Sequence, residues 1–166
     1  DPYERGNTLV MVGIHELGSE NTSTYIFDHN DTTRSDDIVS NHYAVQSCLD
    51  RTDILVCHNV AYDLIWLWES GFKYTKGVYD TMLSQYVMNK GINNSLSLSH
   101  LAEYYKCSYL KQDVLKNYFS KGYSTKEIPR QELETYLIHD VLATKEIYEK
   151  QTKKLQNTTL LKTVQL

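Results

Sequence analysis

Ile54-Leu55-Val56-Cys57-His58-Asn59-Val60-Ala61-Tyr62-Asp63-Leu64 is the stretch on which the fold turns. Its first four residues form a short apolar run, closed in front by Asp53 and behind by the polar pair His58-Asn59. An amphipathic segment precedes it. Between Asp36 and Leu49, the apolar side chains Ile38, Val39, Tyr43, Val45, Cys48 and Leu49 recur at near-helical spacing. A bounded apolar run after such a helix reads as a strand buried on both faces, the kind found in sheets covered by helices, although periodicity alone also fits a buried helix turn. In α/β sheets, polar residues gather into sites where a strand's carboxyl end feeds a helix. Asn59 and Asp63 stand four apart at that turn. Two readings stay open: Asn59 caps the helix and Asp63 complements its macrodipole, or both belong to a site.

Outward from this stretch, Leu9 to His15 and Ser23 to Asp28 are runs rich in Val, Ile, Thr and Tyr, separated by Leu17-Gly18-Ser19-Glu20-Asn21. They predict two strands joined as a hairpin. After Asn59 the pattern turns helical over Ala61 to Ser70, Thr81 to Lys90, Leu98 to Tyr105, Val114 to Phe119 and Arg130 to about Leu155. Gly71 and Gly91 close the first two, Ser97 or Ser99 opens the third, and Pro129 stands just ahead of the last. Strands first and helices later predict an α/β fold, or an α+β sandwich.

The last helix carries an anomaly. Leu133, Tyr136, Leu137, Val141, Thr144, Ile147 and Tyr148 form its apolar stripe, and Asp140 falls in the middle of that stripe, about 20° from Leu133 on a 100° wheel. A carboxylate aimed at a core is costly unless paired or bound to a metal. Either Asp140 is a buried structural acid with a cationic or helix-terminus partner, or it is a ligand. Tyr136 lies one turn earlier on the same face.

Composition bounds the rest. With 166 residues, 41% apolar and 23% charged, and a mean hydropathy of −0.48, the chain suits one folded domain and excludes disorder. No apolar run approaches the roughly 20 residues of a membrane span, and no signal segment opens the chain, so no membrane is expected. Cys48, Cys57 and Cys107 are odd in number and scattered, offering neither a disulfide framework nor a zinc cluster and fitting a reducing, cytoplasmic setting. The net charge of −4 is uneven: residues 1–100 hold 6 basic and 13 acidic side chains, residues 101–166 hold 11 and 8. A polyanionic substrate would therefore need a local basic strip or metal ions. The absence of an initiating methionine, with Leu166 ending inside an apolar-polar pattern, reads as a piece of a longer polypeptide.

Taken together, His58-Asn59-x-x-x-Asp63 and Tyr136-x-x-x-Asp140 resemble the second and third motifs of the 3′-to-5′ exonuclease domains with four acidic residues and a motif tyrosine, as in phage-type family A DNA polymerases. Tyr79-Asp80-Thr81-Met82-Leu83 and the segment from Ser95 to Tyr105 resemble that family's connecting helices, so the likeness spans about 130 residues. A related subclass carries a histidine where this chain has Thr135. The family's first motif, Asp-x-Glu, occurs nowhere in the 166 residues. Asp1 and Glu4 are spaced by three, which puts them on opposite faces of a strand. The expectation is that this motif lies upstream of Asp1.

The resemblance implies an RNase H-like (DnaQ-like) mixed sheet flanked by helices, without its first strand, in a single exonuclease domain over residues 1–166. It implies two divalent ions, Mg²⁺ or Mn²⁺, with Asp63 and Asp140 as ligands and Tyr136 assisting the attacking water. The implied substrate is the 3′ end of single-stranded DNA, with Asn59 and Tyr62 as candidate contacts, and the implied partner is a polymerase domain of the same polypeptide. Lys106, Lys111, Lys116, Lys121 and Lys126 are candidates for a phosphate-tracking strip or for a solvated face. An RNase D-like RNA 3′ exonuclease and a catalytically silent strand-holding module are the alternatives. His139, turned about 100° from Asp140, receives no role.

Overall fold

The computed structural model describes residues 3, 6–32, 37–92, 94–109 and 114–156. Asp1, Glu4, Asp36 and Lys111 therefore lie outside the described residues. The chain runs β1 (Met11–His15), β2 (Thr22–Ile26), α1 (Ile38–Arg51), β3 (Ile54–Cys57), α2 (Val60–Glu69), β4 (Gly77–Asp80), α3 (Thr81–Met88), α4 (Leu98–Tyr104), α5 (Val114–Phe119), a 3-10 turn (Thr125–Glu127) and α6 (Arg130–Leu155). Among the described residues, no helix is long and apolar enough to cross a membrane.

β1 and β2 pair antiparallel, Met11 opposite Ile26 and His15 opposite Thr22, and Gly18 in the connecting turn takes φ +89°. β3 and β4 pair parallel, with Cys57 beside Asp80, and α2 makes the crossover that parallel strands require. The α/β class expected from the sequence is present. Among the described residues, however, the strands form two separate two-stranded sheets, where one mixed sheet was expected. β4 was missed altogether: Gly77-Val78-Tyr79-Asp80 is only four residues, opens on glycine and has no alternation long enough to register.

Helix α6 is the element shared by both sheets, packing on β1, β2 and β3 and on α3 and α4. Its contact with β1 is close. A Cβ on Gly13 would stand 2.9 Å from Leu137 Cγ and 3.1 Å from Val141 Cγ2, so the absence of a side chain there sets how near the helix lies. Farther along, Tyr148 packs edge-on against Tyr79 of β4 at 4.9 Å between ring centroids. Asp140 thus lies within the segment of α6, between Leu137 and Val141, that packs on β1.

Two buried polar arrangements fix the second half of the molecule. Asp80, 8% exposed, accepts hydrogen bonds from the backbone N–H groups of Asn59 (3.0 Å), Val60 (3.0 Å), Met82 (2.8 Å) and Leu83 (3.3 Å). One carboxylate thereby satisfies the orphan donors at the starts of both α2 and α3. Gln151 of α6, fully buried, donates through Nε2 to the carbonyl of Thr81 (3.0 Å) and to Oε1 of Gln85 (3.2 Å), and accepts from the Tyr79 hydroxyl (3.3 Å). The Tyr105 hydroxyl donates to the same Gln85 oxygen at 2.6 Å. Burial first, then the neighbouring Tyr104, pushes the Tyr105 phenol up to about 12, so it stays a donor at any working pH.

Asp80→Ala should cost about 2–4 kcal/mol, two helix caps at roughly 1–2 kcal/mol each, read as a lower urea midpoint at unchanged m-value. Asp80→Asn, which keeps one acceptor oxygen, should cost less. Gly13→Val should cost about 1–3 kcal/mol by forcing α6 off β1, and an unchanged midpoint would refute the close-approach account.

Candidate active site

The turn after β3 is built by a backbone that glycine would normally supply. Asn59 takes the left-handed conformation, φ 67° and ψ 58°, and its side chain makes no capping bond to α2. Of the two readings of this turn, the one in which the Asn59 side chain caps α2 is not realised: the cap comes from Asp80, across the parallel pair. His58, just before, places Nδ1 2.9 Å from the Thr81 hydroxyl, whose own hydrogen points to the Cys57 carbonyl at 3.1 Å. With the hydroxyl proton committed there, Nδ1 of His58 must be the donor in that pair.

Asp63 sits in the first turn of α2, mostly shielded from solvent. Burial raises its carboxyl from the ordinary 3.8 to about 6; the hydrogen bond from the Cys57 thiol opposes this, and the negative charge of Asp80 adds to it. The Cys57 thiol is itself pushed well above its usual range, by burial first and then by Asp63, so it remains protonated and donates to the carboxylate. Asp63 has no basic partner among the described residues. Tyr62, 54% exposed, stands beside it in sequence and packs edge-on to Trp66.

Asp140 lies inside α6, and its Oδ1 is wholly shielded from solvent. Tyr136, one turn earlier, is half-buried against Leu115, Ile128 and Leu133 and the strand-region residues Val10 and Met11. Thr135 donates to the Gln131 carbonyl of its own helix, a bond that keeps its hydroxyl occupied at the position where the related subclass has histidine. His139 faces the Tyr109 ring at 5.6 Å.

Asp63 and Asp140 are hard oxygen donors, the type that suits Mg²⁺ or Mn²⁺, and both are desolvated as a cation would favour. Among the described residues no three His, Cys, Asp or Glu side chains gather into a group that could hold a metal. The donor chemistry of each carboxylate fits such an ion. Sequence reasoning missed Asp80 and Cys57, the two groups that set the environment of Asp63. Asp80 was findable, since an aspartate directly before Thr-Met-Leu is a helix-start signal. Cys57 was not, because its partner lies six residues on, across a left-handed turn.

Lys106 and Lys126, two of the lysines that offered either a phosphate-tracking strip or a solvated face, lie far apart. Lys106 belongs with the carboxyl end of α6, where Lys150 Nζ donates to its carbonyl at 3.1 Å, whereas Lys126 lies near the amino end and pairs with Asp28 at 3.7 Å. The run from Arg130 to Lys150 puts about 30 Å between those ends.

A family model described as 3′-5′ exonuclease, built on the exonuclease domain of family A DNA polymerases, matches residues 7–156. Comparison with curated proteins and with solved structures finds no match.

The raised carboxyl of Asp63 gives a signed expectation. Its folded value of about 6 exceeds the ordinary 3.8, so the fold holds this proton more tightly than the unfolded chain does. Without metal, the contribution of Asp63 to stability should improve as pH falls from about 6 towards 4, and the full cost of the buried anion is present above pH 6. Asp63→Asn should raise the urea midpoint at about pH 7.5, on the order of 2 kcal/mol, and remove that segment of the pH profile. A parallel pH profile in the variant would refute the assignment.

Proposed function

The chain belongs to the 3′-5′ exonuclease family of family A DNA polymerases, and from that premise we propose that it hydrolyses the 3′-terminal phosphodiester of single-stranded DNA in the service of proofreading. The observation that carries this reading is Asp63: a desolvated carboxyl without a basic partner among the described residues, in the first turn of the helix that follows β3, within the span that matches the family. β3 itself is only half-buried, with Ile54 exposed, and not covered on both faces as its apolar run suggested. In this proposal Asp63 and Asp140 hold divalent ions. When bound, those ions lower the pKa of the attacking water and stabilise the departing 3′ oxygen.

The protein residues then have distinct tasks. Asp80 fixes the start of α2 and so the position of Asp63, while the Cys57 thiol holds one orientation of that carboxylate. Tyr136 orients the attacking water from the turn before Asp140. Asn59 and the exposed ring of Tyr62 flank the terminal nucleotide, with stacking on the ring supplying contact that does not depend on sequence.

The 166 residues form one such domain in this reading, and the polymerase portion belongs to the same polypeptide. The Asp-x-Glu strand that the resemblance places upstream of Asp1 would supply the two further carboxylates. The architecture supports this: β1 pairs only with β2 and β3 only with β4 among the described residues, while α6 spans both sheets. A strand between β1 and β3 would join them and face the part of α6 that carries Asp140. A second reading, a strand-holding module without catalysis, draws on the lack of a three-ligand cluster among the described residues.

Hydrolysis of a 3′-labelled oligonucleotide separates the two. The 166-residue chain with Mg²⁺ should act very slowly. A longer chain beginning upstream of Asp1 should act robustly and lose activity to EDTA; in it Asp63→Ala and Asp140→Ala should each cost at least about 100-fold, Tyr136→Phe less. Turnover unchanged by Asp140→Ala would end the assignment, and a DNA/RNA substrate pair would decide the sugar preference.

A further inference from the structure

At the far end of α6, an open cleft of about 420 Å³ is lined by Tyr104, Tyr105, Lys106, Lys150, Lys153 and Lys154. Four of its six lining residues are lysines, on a chain whose net charge is −4. Lys150 is committed: its Nζ donates to the carbonyls of Tyr105 (2.8 Å) and Lys106 (3.1 Å) at the end of α4 and lies 3.4 Å from Glu146. Glu149, the other nearby acid on α6, is taken by Lys145 at 2.9 Å. Lys106, Lys153 and Lys154 have no acidic partner among the described residues. Three uncompensated ammonium groups therefore share one concavity.

The aromatic component is equally specific. Tyr104 is 57% exposed and stands edge-on to the buried Tyr105, their centroids 4.9 Å apart. Lys154 Nζ lies over both rings, 5.1 Å from the Tyr104 centroid and 4.5 Å from that of Tyr105. Lys106 occupies a left-handed backbone position, φ 51°, just past the end of α4, where glycine is the usual residue. A lysine there is strained, and it is held by the bonds from Lys106 N to the Glu103 carbonyl and from Cys107 N to the Ala102 carbonyl.

Unpaired lysines around a solvent-facing tyrosine are the elements from which single-stranded nucleic acid is bound, cations for phosphates and a ring face for a base. We propose that this cleft is a second contact for the substrate strand, gripping its phosphodiester backbone away from the reaction centre, with a base stacked on Tyr104. The proposal rests on the exonuclease reading for the identity of the strand. Lys154 is 14 residues beyond Asp140, about 21 Å along the helix, with α4 packed over α6 between them. The two surfaces are thus separate, and only a strand of several nucleotides engages both.

The test is fluorescence anisotropy of a labelled oligo-dT of about 20 nucleotides with the 166-residue chain in EDTA, across a salt series. Lys106→Gly with Lys153→Ala should flatten the salt dependence by about 1.4, about 0.7 for each phosphate no longer neutralised. Tyr104→Ala should weaken binding roughly 5- to 100-fold. Lys153→Ala alone, at an exposed position, should lower the slope by about 0.7 and keeps the test valid if the double variant misfolds. A trinucleotide should bind all variants as it binds the parent. An unchanged slope and affinity for the long oligonucleotide, or no binding by the parent chain, overturns the proposal. Failure of the exonuclease reading shows elsewhere, as hydrolysis that survives Asp140→Ala, so the two are distinguishable.

Discussion

One carboxylate, that of Asp80, ties the starts of two helices to the parallel strand pair. Four backbone N–H groups from the first turns of two helices converge on it, so the starts of α2 and α3 are fixed relative to each other and to the parallel pair β3–β4. The positive ends of both helix dipoles stabilise its charge. The carboxyl group that interests chemistry, Asp63, lies one turn into the first of those helices, and its position is inherited from this bond set. Its raised proton affinity comes first from burial, to which the nearby Asp80 charge adds.

Asp63 and Asp80 show how one residue type takes two roles within one small region. Asp80 is buried and saturated with N–H donors, which is the environment of a structural anion. Asp63 is shielded and receives the weak Cys57 thiol as a donor, an environment that leaves its proton affinity raised. The lysines of the second part are divided as well. Lys126 is neutralised by Asp28, Lys150 closes the end of α4, and three others gather around Tyr104 and Tyr105.

The helices were legible because their signals are local: Gly71 and Gly91 past two helix ends, Ser97 capping α4 with its side chain, and Pro129 before α6. Asp140 stood out for the same reason, as a charge in an apolar stripe. β4 was illegible because its evidence is a partner strand more than twenty residues away. The cap on α2 was hidden for a related cause: sequence offers the adjacent Asn59 as one candidate, while the fold uses Asp80, 21 positions on. What brings residues together across the chain leaves little trace in spacing, and the resemblance to a known family supplied what spacing lacked.

Gln151 has a mechanical consequence. Its amide is fully buried and fits both a donor and an acceptor geometry, reaching Thr81, Gln85 and Tyr79 at once. Sliding α6 by a residue, or twisting it, would strand three polar groups in a dry interior. The helix is therefore clamped like a keyed shaft, and any movement at one end is transmitted to the other as displacement of a stiff rod.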